Sequence, residues 1–470
     1  MFQQLSFNSF EFIFLFLPCF LIGFHLLKKS SNSNYSHYWL IICSLLFYSW
    51  GNLSNLPILL SSLVFNYTIA QFIGPIDTQS SLRPRNLSRK FFLILGIVLN
   101  VLFLSYYKYF SYLPLGISFF TIMQIIYLVD CYEGMLKPNT LREHALVVSF
   151  FPTVTMGPIV RVKNVLTQFR ETVNKGISPE QLTPGIALLS IGLFKKVVIA
   201  DSFAIIADIG YASVSTLSTV MAWVISLSFT MQLYYDFSGY SDMAIAIAMA
   251  LGIKIPINFN SPYKSKSIVE FWQRWHISLS TFITTYLYTP IVRSFKKITF
   301  NKAMLATLVA MIIVGVWHGS TINFVIFGFL HGVAMVVNQN WQKKTKIKLP
   351  NFLAWFLTFI YLNFTFVFFR ADSFLDAIQV LTSMFSFNLL LSDGLMPLHY
   401  PELVQLGANI IAMPPMIIGA LLIFAKRNSN QIIKEFNPTL INLIGFLILA
   451  IISLIYLNSN FSQEYIYNDF

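Results

Sequence analysis

Charge is what this sequence most lacks. Asp, Glu, Lys and Arg make up 11% of its 470 residues, while 56% are hydrophobic and mean hydropathy is +0.67. A soluble protein carries about 25% charged residues, and no soluble core hides this much apolar surface. The chain reads as all-α and polytopic, an integral membrane protein. No long polar linker divides it, so a single domain over 1–470 is expected. Cysteine is scarce too: Cys19, Cys43 and Cys131 include no CxxC pair, which argues against a disulfide framework or a cysteine metal site. No Lys or Arg precedes Lys28, so the positive start of a signal peptide is missing and a retained first helix is expected. HExxH, GxSxG and P-loop motifs are absent, as is any close His/Cys/Asp cluster with ligand spacing. Neither a metal nor a bound cofactor is expected.

Basic residues are present in excess, with a net charge of +12. They form short clusters between apolar runs, the pattern of the positive-inside rule. No basic stripe with interleaved aromatics points to nucleic acid. The 47 phenylalanines suit lipid-facing surfaces. Apolar runs near the spanning length of about 20 residues occupy 8–27, 39–50 with 54–73, 91–110, 113–130, 303–316, 320–338, 352–370, 408–425 and 439–457. About eleven or twelve crossings are expected, with short re-entrant or interfacial helices around a central tunnel. Gly157-Pro158, Pro184-Gly185, Gly239 and Gly252 interrupt the stretch 143–251. Broken helices there would line a cavity. Lys28-Lys29, then Arg83, Arg85, Arg89 and Lys90, then Lys343, Lys344, Lys346 and Lys348, then Lys426-Arg427 read as cytoplasmic, with both chain ends outside.

Polar groups at membrane depth are costly and mark function or pairing. Three stretches concentrate them. GVWHGSTINFVIFGFLHG, Gly315 to Gly332, carries His318 and His331. On one straight helix they would lie about 20 Å apart along the axis and about 140° apart around it, so they share a site only if the chain folds back. Gly315 and Gly319 permit close helix packing. SIVEFWQRWHISLSTFITTYLY, Ser267 to Tyr288, places Trp272 and His276 at i, i+4 on one helical face, with Glu270 and Arg274 able to pair. An interfacial amphipathic helix is the plainer reading of that segment. YYDFSGYSDMAIAIAMALG, Tyr234 to Gly252, holds Asp236 and Asp242, about 120° apart on a helix. Capping and hydrogen bonding near a bend explain them more simply than acid–base work. For an enzyme, a histidine taking a proton from an oxygen nucleophile is the remaining simple chemistry.

These segments carry a resemblance. The chain resembles the membrane-bound O-acyltransferases, in the bacterial branch of the alginate O-acetyltransferase membrane subunit and the D-alanyl transfer membrane protein, and is closer to the former. The likeness runs through FNSFEFIFLFLP (Phe7 to Pro18), LPLGISFFT (Leu113 to Thr121), FFPTVTMGPIVR (Phe150 to Arg161), YDFSGYSDMAI (Tyr235 to Ile245), NFNSPY (Asn258 to Tyr263), FWQRWHISLS (Phe271 to Ser280), the two-histidine stretch and FVFFRADS (Phe366 to Ser373).

The resemblance implies a catalytic core within 113–338, with His318 as the catalytic histidine and His276 as a second polar group that orients the donor or stabilises the oxyanion. Trp317, Trp272, Trp275, Arg274, Asn323, Asp236 and His331 are then expected near the substrate path, His331 mainly in a structural role. It implies transfer of an acyl group, most simply acetyl, from a cytoplasmic thioester such as acetyl-CoA to a hydroxyl of a cell-envelope polysaccharide. It also implies residence in the bacterial inner membrane, contact with membrane lipids, and an extracytoplasmic SGNH-type partner. D-alanyl transfer to teichoic acid and non-catalytic transport of an acyl carrier are the alternatives. The sequence departs from the alginate-type pattern at TYLYTPIVRSF, Thr285 to Phe295, which lacks a Gly-Gly pair.

Overall fold

A computed structural model describes residues 4–29, 34–74, 88–172, 177–386, 408–459 and 463–466. Among them there is no strand. The helices are α1 (Glu11–Lys28), α2 (Asn34–Ser49), α3 (Asn55–Ile73), α4 (Arg89–Phe110), α5 (Ile117–Tyr132), α6 (Leu141–Val148), α7 (Val162–Thr172), α8 (Pro179–Ala212), α9 (Thr219–Ala250), α10 (Ile268–Arg274), α11 (Phe300–His318), α12 (Ile322–Lys344), α13 (Asn351–Arg370), α14 (Phe374–Ser383), α15 (Ala408–Leu422), α16 (Ser429–Lys434) and α17 (Leu440–Leu457). Eight of the described helices are long and apolar enough to cross a membrane. The higher number expected from apolar runs includes helices that fall short on length, such as α2, α5 and α15.

The middle of the chain is less broken than its glycines and prolines suggest. Pro184 lies inside α8, which continues through a π-helical turn at Phe194–Ala200 to Ala212. Gly239 lies within the 32 continuous residues of α9. Its role is contact: a Cβ there would sit 2.8 Å from the carbonyl oxygen of Gly192 on α8. The glycines thus bring α8 and α9 together and leave both intact. Gly157-Pro158 lies in the non-helical stretch 155–161, and Gly252 follows the end of α9 with φ of +76°.

One rim of the bundle is tied by polar contacts. Arg89 donates to the carbonyls of Ile73 (2.7 Å) and Tyr132 (2.8 Å), joining α3, α4 and α5. Arg142 reaches Asn34, Arg170 pairs with Glu143 at 2.7 Å, and Gln168 donates to the Lys254 carbonyl. Further round, Asn428 donates to Asn260 and Lys266 to Asn351. The described basic clusters follow this rim, whereas Arg83 and Arg85 lie outside the described residues. On the opposite rim, the Tyr112 hydroxyl donates to the Ser54 carbonyl and the Tyr109 hydroxyl to that of Val316. Charge bias predicts that the first rim faces the cytoplasm. A Lys344→Cys protein on a cysteine-free background should resist a membrane-impermeant maleimide in intact cells and react after permeabilisation. Labelling from outside would reverse the orientation.

Candidate active site

The two-histidine stretch folds back on itself. α11 ends at His318, Gly319 to Thr321 turn, and α12 returns antiparallel. Glycine sets the spacing: a Cβ on Gly315 would lie 2.2 Å from the Phe324 carbonyl oxygen, and one on Gly328 2.4 Å from that of Met311. This is the close approach that small residues allow between membrane helices. The reversal removes the straight-helix separation of His318 and His331. Phe327 lies between them, its ring 6.0 Å from His318 and 4.4 Å from His331.

His318 is 3% exposed and sits against Trp317, Phe369 and Phe327. Lys108, His276 and His331 lie within electrostatic range of its ring. Lys108, near the end of α4, donates to the Trp317 carbonyl at the C-terminus of α11, where a cation complements the helix dipole. Sequence reading passed over Lys108. Its signal was a lone cation at the end of an apolar run.

His276 arrives by an unexpected route. Trp272 and His276 do not share a helical face, because α10 stops at Arg274. His276 itself has φ of +43°, and the next helical turn begins at Ile277. A non-glycine residue in the left-handed region is strained, and such strain concentrates at functional sites. Its Nδ1 lies 3.1 Å from Asn258 Oδ1. Phe119 and Phe237 flank the ring at 6.3 and 4.8 Å. Phe119 is also 5.9 Å from Trp317, the neighbour of His318. One aromatic wall therefore joins the segments carrying both histidines.

The remaining candidates divide. Trp272 turns to His331, donating its indole N–H to Nδ1 at 3.2 Å, while His331 Nε2 lies 3.0 Å from the Thr365 hydroxyl. Trp275 is buried among Phe271, Phe259 and Phe366. Asn323 is fully buried and donates to the Ala371 carbonyl. Arg274 faces away, pairing with Glu270 at 2.9 Å and donating to the Asn260 carbonyl.

Asp236 and Asp242 neither cap nor flank a bend. Asp236 pairs with Lys196 at 2.7 Å, and Asp242 with Lys195 at 2.7 Å. The missed signal was the Lys195-Lys196 pair inside an apolar run: charges at that depth require partners. Thr285 to Phe295 is helical as far as Ser294, since without a Gly-Gly pair nothing stops the helix earlier.

Both ring nitrogens of His331 are engaged. His331→Gln should therefore keep most acyl transfer at normal abundance, since an amide can still hydrogen-bond. An inactive but abundant variant would place His331 in the chemistry.

A cavity of about 610 Å³ opens between the N-terminal segment and residues 463–465, with Asn8, Leu115, Thr155, Tyr240 and Tyr465 in its wall. Tyr240 is about one helical turn from Phe237 on α9, and Leu115 lies just before α5, which carries Phe119; Phe237 and Phe119 are the rings that flank His276. No group of three or more potential metal ligands occurs among the described residues.

Buried imidazoles in an apolar helical bundle mark a candidate reaction site at membrane depth. Residues 140–376 match the MBOAT, membrane-bound O-acyltransferase, family, and the chain belongs to that family. It is 39% identical to a peptidoglycan O-acetyltransferase of Helicobacter pylori, covering 82% of this chain and 80% of the relative. It is 35% identical to a probable alginate O-acetylase, AlgI, of Pseudomonas aeruginosa, covering 81% and 75%. A teichoic acid D-alanyltransferase of Streptococcus thermophilus is 30% identical over 49% of this chain and 58% of its own length. The protein is a multi-pass membrane O-acyltransferase, and transport without chemistry yields to that assignment.

Proposed function

We propose that the protein moves an acetyl group from a cytoplasmic thioester, acetyl-CoA, across the inner membrane to a hydroxyl of a cell-envelope glycan. His318 takes the hydroxyl proton as the oxygen attacks the thioester carbon. The C–S bond then breaks and the thiolate leaves. His276 is the supporting polar group, and the catalytic core in this reading runs over 113–338. The carrying observation is the shared aromatic wall, with Phe119 against both His276 and Trp317.

The cavity beside Tyr240 opens on the rim opposite the basic clusters, which suits an acceptor arriving from outside. An extracytoplasmic SGNH-type partner completes transfer to the polymer. Peptidoglycan is favoured as that polymer by the 39% identity to a peptidoglycan O-acetyltransferase. Ester-linked acetate in the peptidoglycan of a deletion strain should be lost and should return on complementation. Unchanged acetate with loss of D-alanine from teichoic acid would overturn the proposal in favour of D-alanyl transfer.

A further inference from the structure

We infer that His276 works as a hydrogen-bond acceptor through Nε2, held in that tautomer by Asn258, and so receives an N–H or O–H group of a substrate rather than stabilising the oxyanion. The inference rests on the reading of His276 as part of the reaction centre and assigns the direction of its hydrogen bond.

The direction follows from one backbone group. Asn258 Oδ1 accepts the Ser278 backbone N–H at 3.2 Å and the Ser278 hydroxyl at 2.9 Å. A backbone N–H can only donate, so the amide atom facing it is the oxygen, and the usual ambiguity of an asparagine flip is removed. The other side agrees: Asn258 Nδ2 donates to Ser241 Oγ at 3.3 Å. The Ser278 hydroxyl is consistent as well, accepting the Ile159 N–H while donating to Asn258. His276 Nδ1, 3.1 Å from that oxygen, must carry the proton. In a neutral imidazole the second nitrogen then holds a lone pair and no hydrogen. Nε2 is buried and has no hydrogen-bond partner among the described residues. A buried acceptor left bare costs about 1–3 kcal/mol, so the position is organised for an incoming donor.

His331 provides an internal contrast. An indole nitrogen is donor-only, so the Trp272 contact makes His331 Nδ1 the acceptor. Its Nε2 then donates to Thr365 Oγ1, whose own hydrogen goes to the Leu362 carbonyl. The two histidines hold opposite tautomers. One has both nitrogens consumed, and the other presents a free lone pair. An oxyanion needs a donor, which His276 in this state is not. The Trp317 indole N–H, buried and without a partner among the described residues, is a donor beside His318 and fits that role.

The test reads tautomers directly and needs no substrate. The full chain, labelled with ¹⁵N-histidine and held in lipid nanodiscs, is compared with its His276→Asn and His331→Gln forms to assign the two rings. His276 should show a protonated Nδ1 and a bare Nε2, and His331 the reverse. A protonated Nε2 on His276 in the wild-type protein overturns the inference whatever the activity. Asn258→Leu should scramble the His276 tautomer and lower ester acetate in the envelope glycan about tenfold, the effect of losing one buried hydrogen bond. Asn258→Asp keeps an oxygen facing Nδ1 and should retain both the tautomer and most acetate. Normal acetate in an abundant Asn258→Leu protein would also overturn the inference. Loss of acetate in a deletion strain tests the overall function separately, so the two failures are distinguishable.

Discussion

His318→Ala is expected to reduce acyl transfer by about 10²–10⁴-fold, the usual contribution of a general base, while membrane abundance stays near normal. His318 is the last residue of α11, and the α11–α12 pair approaches closely at Gly315 and Gly328, away from the imidazole's own position in sequence. The helix pair should therefore survive truncation. The ring packs on Trp317, on Phe327 of α12 and on Phe369 of α13, while the closest α11–α12 approach is at Gly315 and Gly328. His276→Asn should be milder than His276→Ala, because an amide oxygen can still accept a hydrogen bond. The measurement is ester-linked acetate in envelope glycan from cells carrying each variant, with protein levels read alongside. Near-normal acetate from an abundant His318→Ala protein would remove His318 from the chemistry.

Lys196→Met is expected to have the largest effect on stability. The lysine ammonium lies 2.8 Å from Asp201 and 2.7 Å from Asp236, and it donates to the Glu464 carbonyl at 3.0 Å. All three charged side chains are almost completely buried. The carboxylates also hold the C-terminal segment, accepting the backbone N–H groups of Gln463 and Ile466. Removing the cation leaves two facing carboxylates in an apolar bundle, and breaking a buried pair in this way typically costs about 3–5 kcal/mol. Unfolding temperature in detergent should drop sharply. Replacing all three residues, with Asp201→Asn and Asp236→Asn added, should recover much of the loss, because no unpaired charge then remains. Glu270→Gln should change little, since the Glu270–Arg274 pair is about a third exposed and such pairs contribute about 0–1 kcal/mol. A Lys196→Met protein as stable as the wild type would show that the cluster does not hold the bundle together.

Part of the candidate site was legible because its chemistry is local. His318 stood out as a polar residue where lipid disfavours one, the resemblance supplied its catalytic role, and the Glu270–Arg274 pair follows from i, i+4 spacing. His276 was singled out by the same resemblance, but its setting was misread. Spacing alone cannot show that α10 ends two residues earlier, or that the left-handed backbone at His276 sits against Asn258, eighteen residues away. Asn258 was visible only as one position in NFNSPY. Nothing in a linear sequence says which side of an amide faces a backbone N–H.

The sequence by itself determined the membrane setting, the all-helical class, the order of the family motifs and the histidines among them. Each of these depends on side-chain polarity within a short window, where burial in lipid punishes every unpaired polar group alike. Only the tertiary structure decided the rest. Gly239 and Pro184 sit in unbroken helices, because α8 packing against α9 uses glycine as space rather than as a hinge. Lys195 and Lys196 found their carboxylates about forty residues away or more in two of three pairs, since only packed helices bring such charges within reach. The tautomer of His276 depends on an acceptor, Asn258 Oδ1, and that of His331 on a donor, the Trp272 indole N–H, both from other segments, a long-range geometry that no local pattern encodes.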